Sequence, residues 1–299
     1  MRLVPLMFLA AAAACAASAR PEGNSAPAAS PELMGAGVLS TDASEYNPSL
    51  TPDGRTLVFA RSGADFRNPG IMVSRLQGRA WSAPRPVPFA DRRFGDSDPT
   101  FSPDGRTLYF VSDRPAAGRD STRRDLDLWR VSFNGGAWGT PEHLGAEVNS
   151  RAQELGPAWH EGWLYFGSSR GGRARMLDLF RARDGGGRFG AAEPLPDVNT
   201  PASEGDPELS ADGTLLLFWS DRPGGSGPAD IYASRRTGEG WSAPAPLRVS
   251  SAGFDFTPSF SADERWLYFA SDRRDPPAGT APLPGQSNLF RVPAAAALP

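Results

Sequence analysis

Short apolar runs separated by tight turns fill the chain from about residue 40 onward, and one order of runs returns five times. The fragment "FSPDGRTLYFVSDR" (101–114) reappears as "LTPDGRTLVFARSG" (50–63), "LSADGTLLLFWSDR" (209–222) and "FSADERWLYFASDR" (260–273), with a shortened echo "WHEGWLYFGSSR" (159–170). Asp-Gly between two apolar runs supplies the positive-φ turn of a tight hairpin, so each fragment predicts two antiparallel strands. A third strand follows after a loop of variable length: "IMVSRL" (71–76), "DLWRVS" (127–132), "DLFRAR" (178–183), "DIYASR" (230–235) and "NLFRVP" (288–293). Beyond a Gly-rich turn, "AWSAPRPV" (80–87), "AWGTPEHL" (137–144), "RFGAAEPL" (188–195) and "GWSAPAPL" (240–247) predict a fourth.

Each unit opens on an acid three residues before a proline: Glu45, Asp96, Glu154, Glu204 and Asp255, at spacings of 51, 58, 50 and 51. Four antiparallel strands at that period describe the blades of a β-propeller. The expected fold class is therefore all-β, a five-bladed β-propeller of four-stranded antiparallel blades in a single domain over 33–293. The fifth unit stops after its third strand. "LSTDASE" (39–45) aligns without a gap with "VNTPASE" (198–204), so Met34–Thr41 are expected to complete the last blade as an N-terminal strand. Such closure removes two exposed sheet edges. Residues 294–299 are left as a tail.

Ahead of the repeats, Arg2 and the apolar "LVPLMFLAAAAA" (3–14) read as an export signal over 1–19, too short to span a bilayer. Two endings stay open. Cys15 ends "AAAC" (12–15) after small residues, resembling the lipobox of bacterial lipoproteins, where the cysteine is lipidated; "ASA" (17–19) offers an ordinary signal-peptidase site after Ala19. Residues 20–32 are small, polar and Pro-rich, a flexible tether. The chain of 299 residues has this one cysteine, so no intrachain disulfide supports the fold. A net charge of −3 provides no field for nucleic acid.

The "SPDGRTLYFVSDR…DLWRV" pattern resembles the WD-repeat-like propeller repeats of the TolB family of bacterial envelope proteins. It is also similar to the propeller segments of outer-membrane proteins that carry a peptidoglycan-binding domain. The resemblance covers about 33–293. It implies a non-enzymatic periplasmic or lipid-anchored scaffold, monomeric, that binds an envelope protein or cell-wall polymer and touches a membrane only through a lipid anchor. Two departures stand out: TolB proteins have a separate N-terminal α/β domain and six blades.

Candidate chemistry sits where inner strands begin and second strands end, because those points meet at one face of a propeller. Glu45, Asp96, Glu154, Glu204 and Asp255 begin the inner strands, with Asp98 and Asp206 two residues on. Arg114, Arg170, Arg222 and Arg273 follow the second strands. Read as a site, these are carboxylates around a channel mouth, able to hold a cation, a basic peptide or a sugar. Read as scaffold, each acid pairs with its own arginine, and recurrence in every blade favours this brace. In blade one Gly63 stands where the arginine is expected and Arg61 is displaced by two, which leaves Glu45 less clearly partnered.

Catalytic residues, a metal site and a cofactor are not expected. The two histidines, His143 and His160, have no nucleophile in a recurring arrangement with them. Paired carboxylates at the mouth keep a second reading open, a carbohydrate-binding or glycoside-hydrolase-type propeller. Trp163, beside the altered "HEG" turn (160–162), is a candidate for stacking on a ligand. The long loops 115–127 and 274–287 are candidates for specificity.

Overall fold

The computed structural model describes residues 30–63, 66–117, 125–172, 176–238, 240–274 and 286–299, and in them the repeats form five antiparallel blades in a ring. The inner strands are Ser44–Leu50, Asp96–Phe101, Glu154–His160, Glu204–Leu209 and Asp255–Phe260. Each pairs with the strand across its turn: Thr56–Ser62, Thr107–Ser112, Trp163–Ser168, Leu215–Ser220 and Trp266–Ser271. The third strands are Gly70–Gln77, Asp127–Asn134, Asp178–Arg183, Asp230–Thr237 and Asn288–Pro293.

The outer strand is split in blades one, two and four, as in Ala80–Trp81 and Arg85–Pro86 of blade one. Pro84, Pro141 and Pro244 stand between the two pieces. Proline lacks the N–H that a continuous ladder needs, and an outer edge tolerates the gap.

Packing follows the repeats. Phe59, Phe110, Phe166, Phe218 and Phe269, one per second strand, are fully buried. The core divides into five clusters, one between each pair of neighbouring blades. Trp81, Trp138 and Trp241 cover three of these clusters from the outer strands, and Phe189, ahead of the outer strand of blade three, is buried in a fourth.

Ring closure differs in detail from expectation. The outer strand of the last blade is Glu32–Leu33, with Glu32 opposite Arg291 and Leu33 opposite Phe290. Met34 donates one further N–H to Leu289 (2.8 Å), and there the pairing stops. Gly35, at φ 51°, turns the chain inward, and Leu39 drops fully buried into the cluster between blades five and one. The gapless alignment had placed the paired strand two residues later, and had assigned Glu32 to the tether. The tail also packs: Ala294–Ala297 form a helical turn with Ala294 and Ala297 buried, and Arg248 donates its N–H to the Ala297 carbonyl (2.8 Å).

Candidate functional site

The five opening acids are at most 2% exposed, and each is held by its own blade. Arg114 reaches both oxygens of Asp96 at 2.7 Å. Arg170, Arg222 and Arg273 reach Glu154, Glu204 and Asp255 at 3.1, 3.0 and 2.7 Å. Hydroxyls fill much of the remaining capacity: Ser150 and Ser168 donate to Glu154, and Thr200 and Ser220 to Glu204. The same guanidinium groups lie over the phenylalanines of the second strands, 5.0 to 5.3 Å from the ring centres. Burial pushes Asp96 and Glu204 above the usual carboxylate range, with hydroxyl and guanidinium partners working against it.

Blade one corrects the expected weak point. Arg61 is the cross-strand partner of Glu45, and its Nε donates to Oε1 at 2.9 Å. Its Nη2 caps the carbonyls of Val38 and Leu39 at 3.0 and 3.2 Å. Directly opposite on the ladder, Arg61 reaches the carboxylate that the other blades reach from two residues farther on. Trp163 is likewise occupied: Arg181 and Arg183 lie 4.3 and 5.4 Å from its ring, on the blade's own surface.

Asp98 and Asp206 separate from this rim. Every inner strand carries a bulge one residue past its opening acid, and the next residue, just before the proline, is left-handed. These residues are Asn47, Asp98, Gly156, Asp206 and Thr257, at φ between 48° and 56°. A bulge of this kind re-aims a side chain, here toward the axis, where the five interlock. Thr257 Oγ1 accepts the Asn47 N–H (3.1 Å), and Asp98 Oδ2 accepts the Gly156 N–H (3.0 Å). Asn47 and the Trp219 indole face Asp206 and oppose the rise in its pKa. A Cβ on Gly156 would sit 2.2 Å from Asp206 Oδ1 and 2.8 Å from its Cα, so the junction admits only glycine.

Above this ring a bowl of about 370 Å³ opens on the face that carries the braces. Asp98 and Asp206 form its floor. An aromatic arc makes one wall: Phe66 meets Tyr46 edge-on at 5.1 Å, and Phe256 stacks on Phe254 at 4.5 Å. Trp219 closes the arc against Phe254 at 5.4 Å, and Leu126, Leu155 and Leu177 make the other wall. Burial, then the charge of Asp98, pushes Asp206 up to about 8; burial also raises Asp98.

Beneath the bowl the prolines close a waist of about 20 Å³. A second cavity of about 400 Å³ lies beyond it, lined by Trp159, His160 and Glu208. Burial pushes Glu208 up to about 8, and its Oε1 accepts the Phe260 N–H (2.9 Å). Glu208 was not among the sequence candidates. Its signal lay in the repeat column Ser49, Thr100, Ala158, Glu208, Ser259, where it is the one charged residue. The Ser49 hydroxyl makes the equivalent bond to the Phe101 N–H (3.0 Å). His143 lies at the periphery, 3.1 Å from Asp127. Among the described residues no group of three or more His, Cys, Asp or Glu is arranged to hold a metal. Cys15 and most of the two long loops lie outside the described residues.

No protein-family model matches the chain, and no curated protein matches its sequence. Solved structures match its fold. A protein assigned as TolB from Agrobacterium tumefaciens is 18% identical with a TM-score of 0.53, covering 86% of this chain and 79% of that one. A thermostable family-43 glycoside hydrolase is 10% identical with a TM-score of 0.56, covering 83% and 88%. An α-L-arabinofuranosidase from Lactobacillus brevis is 12% identical with a TM-score of 0.53, covering 85% and 90%. The chain shares its β-propeller fold with TolB and with these hydrolases alike; at these identities the likeness extends to the fold alone.

Proposed function

We propose that the chain is a non-enzymatic binding propeller of the bacterial cell envelope, periplasmic or anchored through a lipid on Cys15, that receives a segment of another envelope protein. The bowl is the observation that carries this reading. It is a concave, largely apolar cavity of about 370 Å³ with a few polar groups at its base, within the ~300–1,000 Å³ usual for ligand sites. Phe66, 41% exposed, stands at its rim as one of two exposed large hydrophobics among the described residues. The rim carboxylates serve the scaffold and leave recognition to the bowl and the loops around it.

The test is recovery of partners from envelope extracts by the wild type and by a Phe66→Asp, Leu155→Asp variant with an unchanged far-ultraviolet spectrum. Partners lost with the variant support the reading; an identical set from both removes the bowl from it. Palmitate labelling that disappears in Cys15→Ala supports the anchor, and labelling that persists excludes this cysteine.

Glycoside hydrolysis is the second reading, and the Asp98–Asp206 pair favours it, because such reactions use two carboxyl groups at the base of a cavity. Turnover of an aryl-glycoside panel that vanishes in both Asp98→Asn and Asp206→Asn would install it in place of binding.

A further inference from the structure

Every acid that opens an inner strand has an arginine, in a chain with 31 basic residues, all of them arginine. The bowl breaks that rule. Among the described residues its lining contains three carboxyls, Asp98, Asp113 and Asp206, and no basic side chain. Among the described residues Asp98 and Asp206 meet neutral donors: the Gly156 N–H and the Ser97 hydroxyl for one, Asn47 and the Trp219 indole for the other. Beside them rises the arc of Tyr46, Phe66, Phe254, Phe256 and Trp219. Carboxyls at the base of an apolar cavity and π-faces along its wall share one complement. That complement is a cation whose charge is spread or carried on an apolar stem.

We propose that the bowl is a receptor for the guanidinium or ammonium end of a basic side chain on a partner peptide, seated between the aromatic arc and the Asp98–Asp206 pair. This rests on the binding reading above and names the chemistry of the bound segment. Arginine fits the arc better than lysine, because its planar, weakly hydrated group stacks on rings and forks onto a carboxylate. A neighbouring aromatic residue on the peptide has Phe66 to meet at the rim.

In the empty bowl burial keeps a proton on Asp206 near neutral pH. An entering cation takes the place of that proton, and association releases it. The other titratable groups facing the pair are Tyr46, whose phenol burial holds protonated well above this range, and Asp113 at the rim. Glu208 lies two residues along the strand from Asp206, at the waist.

Calorimetric titration of the whole chain with acetyl-Phe-Arg-amide and with its citrulline counterpart tests the proposal, since citrulline keeps the shape and removes the charge. The arginine peptide should bind at least tenfold more tightly and gain at least fivefold in affinity from pH 6 to pH 9. In the Asp98→Asn, Asp206→Asn double variant, with a melting temperature no lower than wild type, the preference should vanish. Equal affinities for the two peptides, or a preference that survives in the double variant, would overturn the cation proposal and leave the bowl a neutral apolar receptor. Failure of both peptides to bind overturns it as well, and the binding reading then stands or falls on the envelope-capture experiment alone.

Discussion

Asp96 and Asp98 stand two residues apart on one strand, as do Glu204 and Asp206, and they lead opposite lives. The first of each pair meets an arginine at the rim, 2.7 Å away for Asp96 and 3.0 Å for Glu204. The second faces the axis and meets neutral donors. In a regular strand residues i and i+2 share a face. The bulge and the left-handed residue before each proline break that rule, so one strand supplies a brace on one side and a cavity floor on the other. The same residue type is structural or available according to whether a cation shares its burial.

Removing the cation from the rim should produce the largest effect. Arg114→Ala leaves Asp96, 2% exposed, without its ion partner; breaking a buried pair costs about 3–5 kcal/mol. Thermal unfolding should fall by roughly 10 °C. A fall of only a degree or two would erase the distinction between rim and floor.

Next comes the junction between the axial residues. Gly156→Ala puts a methyl against Asp206 at a positive φ and should cost about 2–4 kcal/mol, read as a lower denaturant midpoint.

At the floor the sign reverses. Asp206 titrates near 8 in the folded chain against 3.8 as its ordinary value. From about pH 4 upward the unfolded state releases a proton that the folded state keeps, so the group lowers stability progressively until about pH 8. Asp206→Asn should therefore melt with the wild type at pH 4 and roughly 5 °C above it at pH 8. A destabilised variant at pH 8 would mean that Asp206 functions as a brace.

Glu208→Gln should follow the same pH course with a smaller gain, about 2–3 °C at pH 8. The amide oxygen can still accept the Phe260 N–H, and the cavity beside Glu208 is open to water.

Much of this architecture was legible in the sequence. Asp-Gly turns and the phenylalanine column predicted the hairpins, and the recurring acids and arginines predicted the pairs at the rim. Columns report what is alike from blade to blade, so the brace was readable and the axis was not. Asp98 and Asp206 entered as extra rim acids because a strand pattern assumes alternation, and the bulge that re-aims them leaves its mark only in a left-handed residue before proline. Such residues are normally pushed toward extended conformations. Glu208 was hidden because its role, accepting an N–H from the next blade, is performed elsewhere by Ser49. The two-residue offset at Glu32–Leu33 is set locally: the pairing ends at Met34 and Gly35 turns the chain, as Gly145 does after Leu144 in blade two.

The waist sets the traffic of the molecule. At about 20 Å³ it has room for about one water. Nothing the size of a sugar or a side chain threads the disc, so every guest must leave by the door it entered. The two mouths are separate rooms sharing a wall, to which Asp206 and Glu208, two residues apart on one strand, both belong.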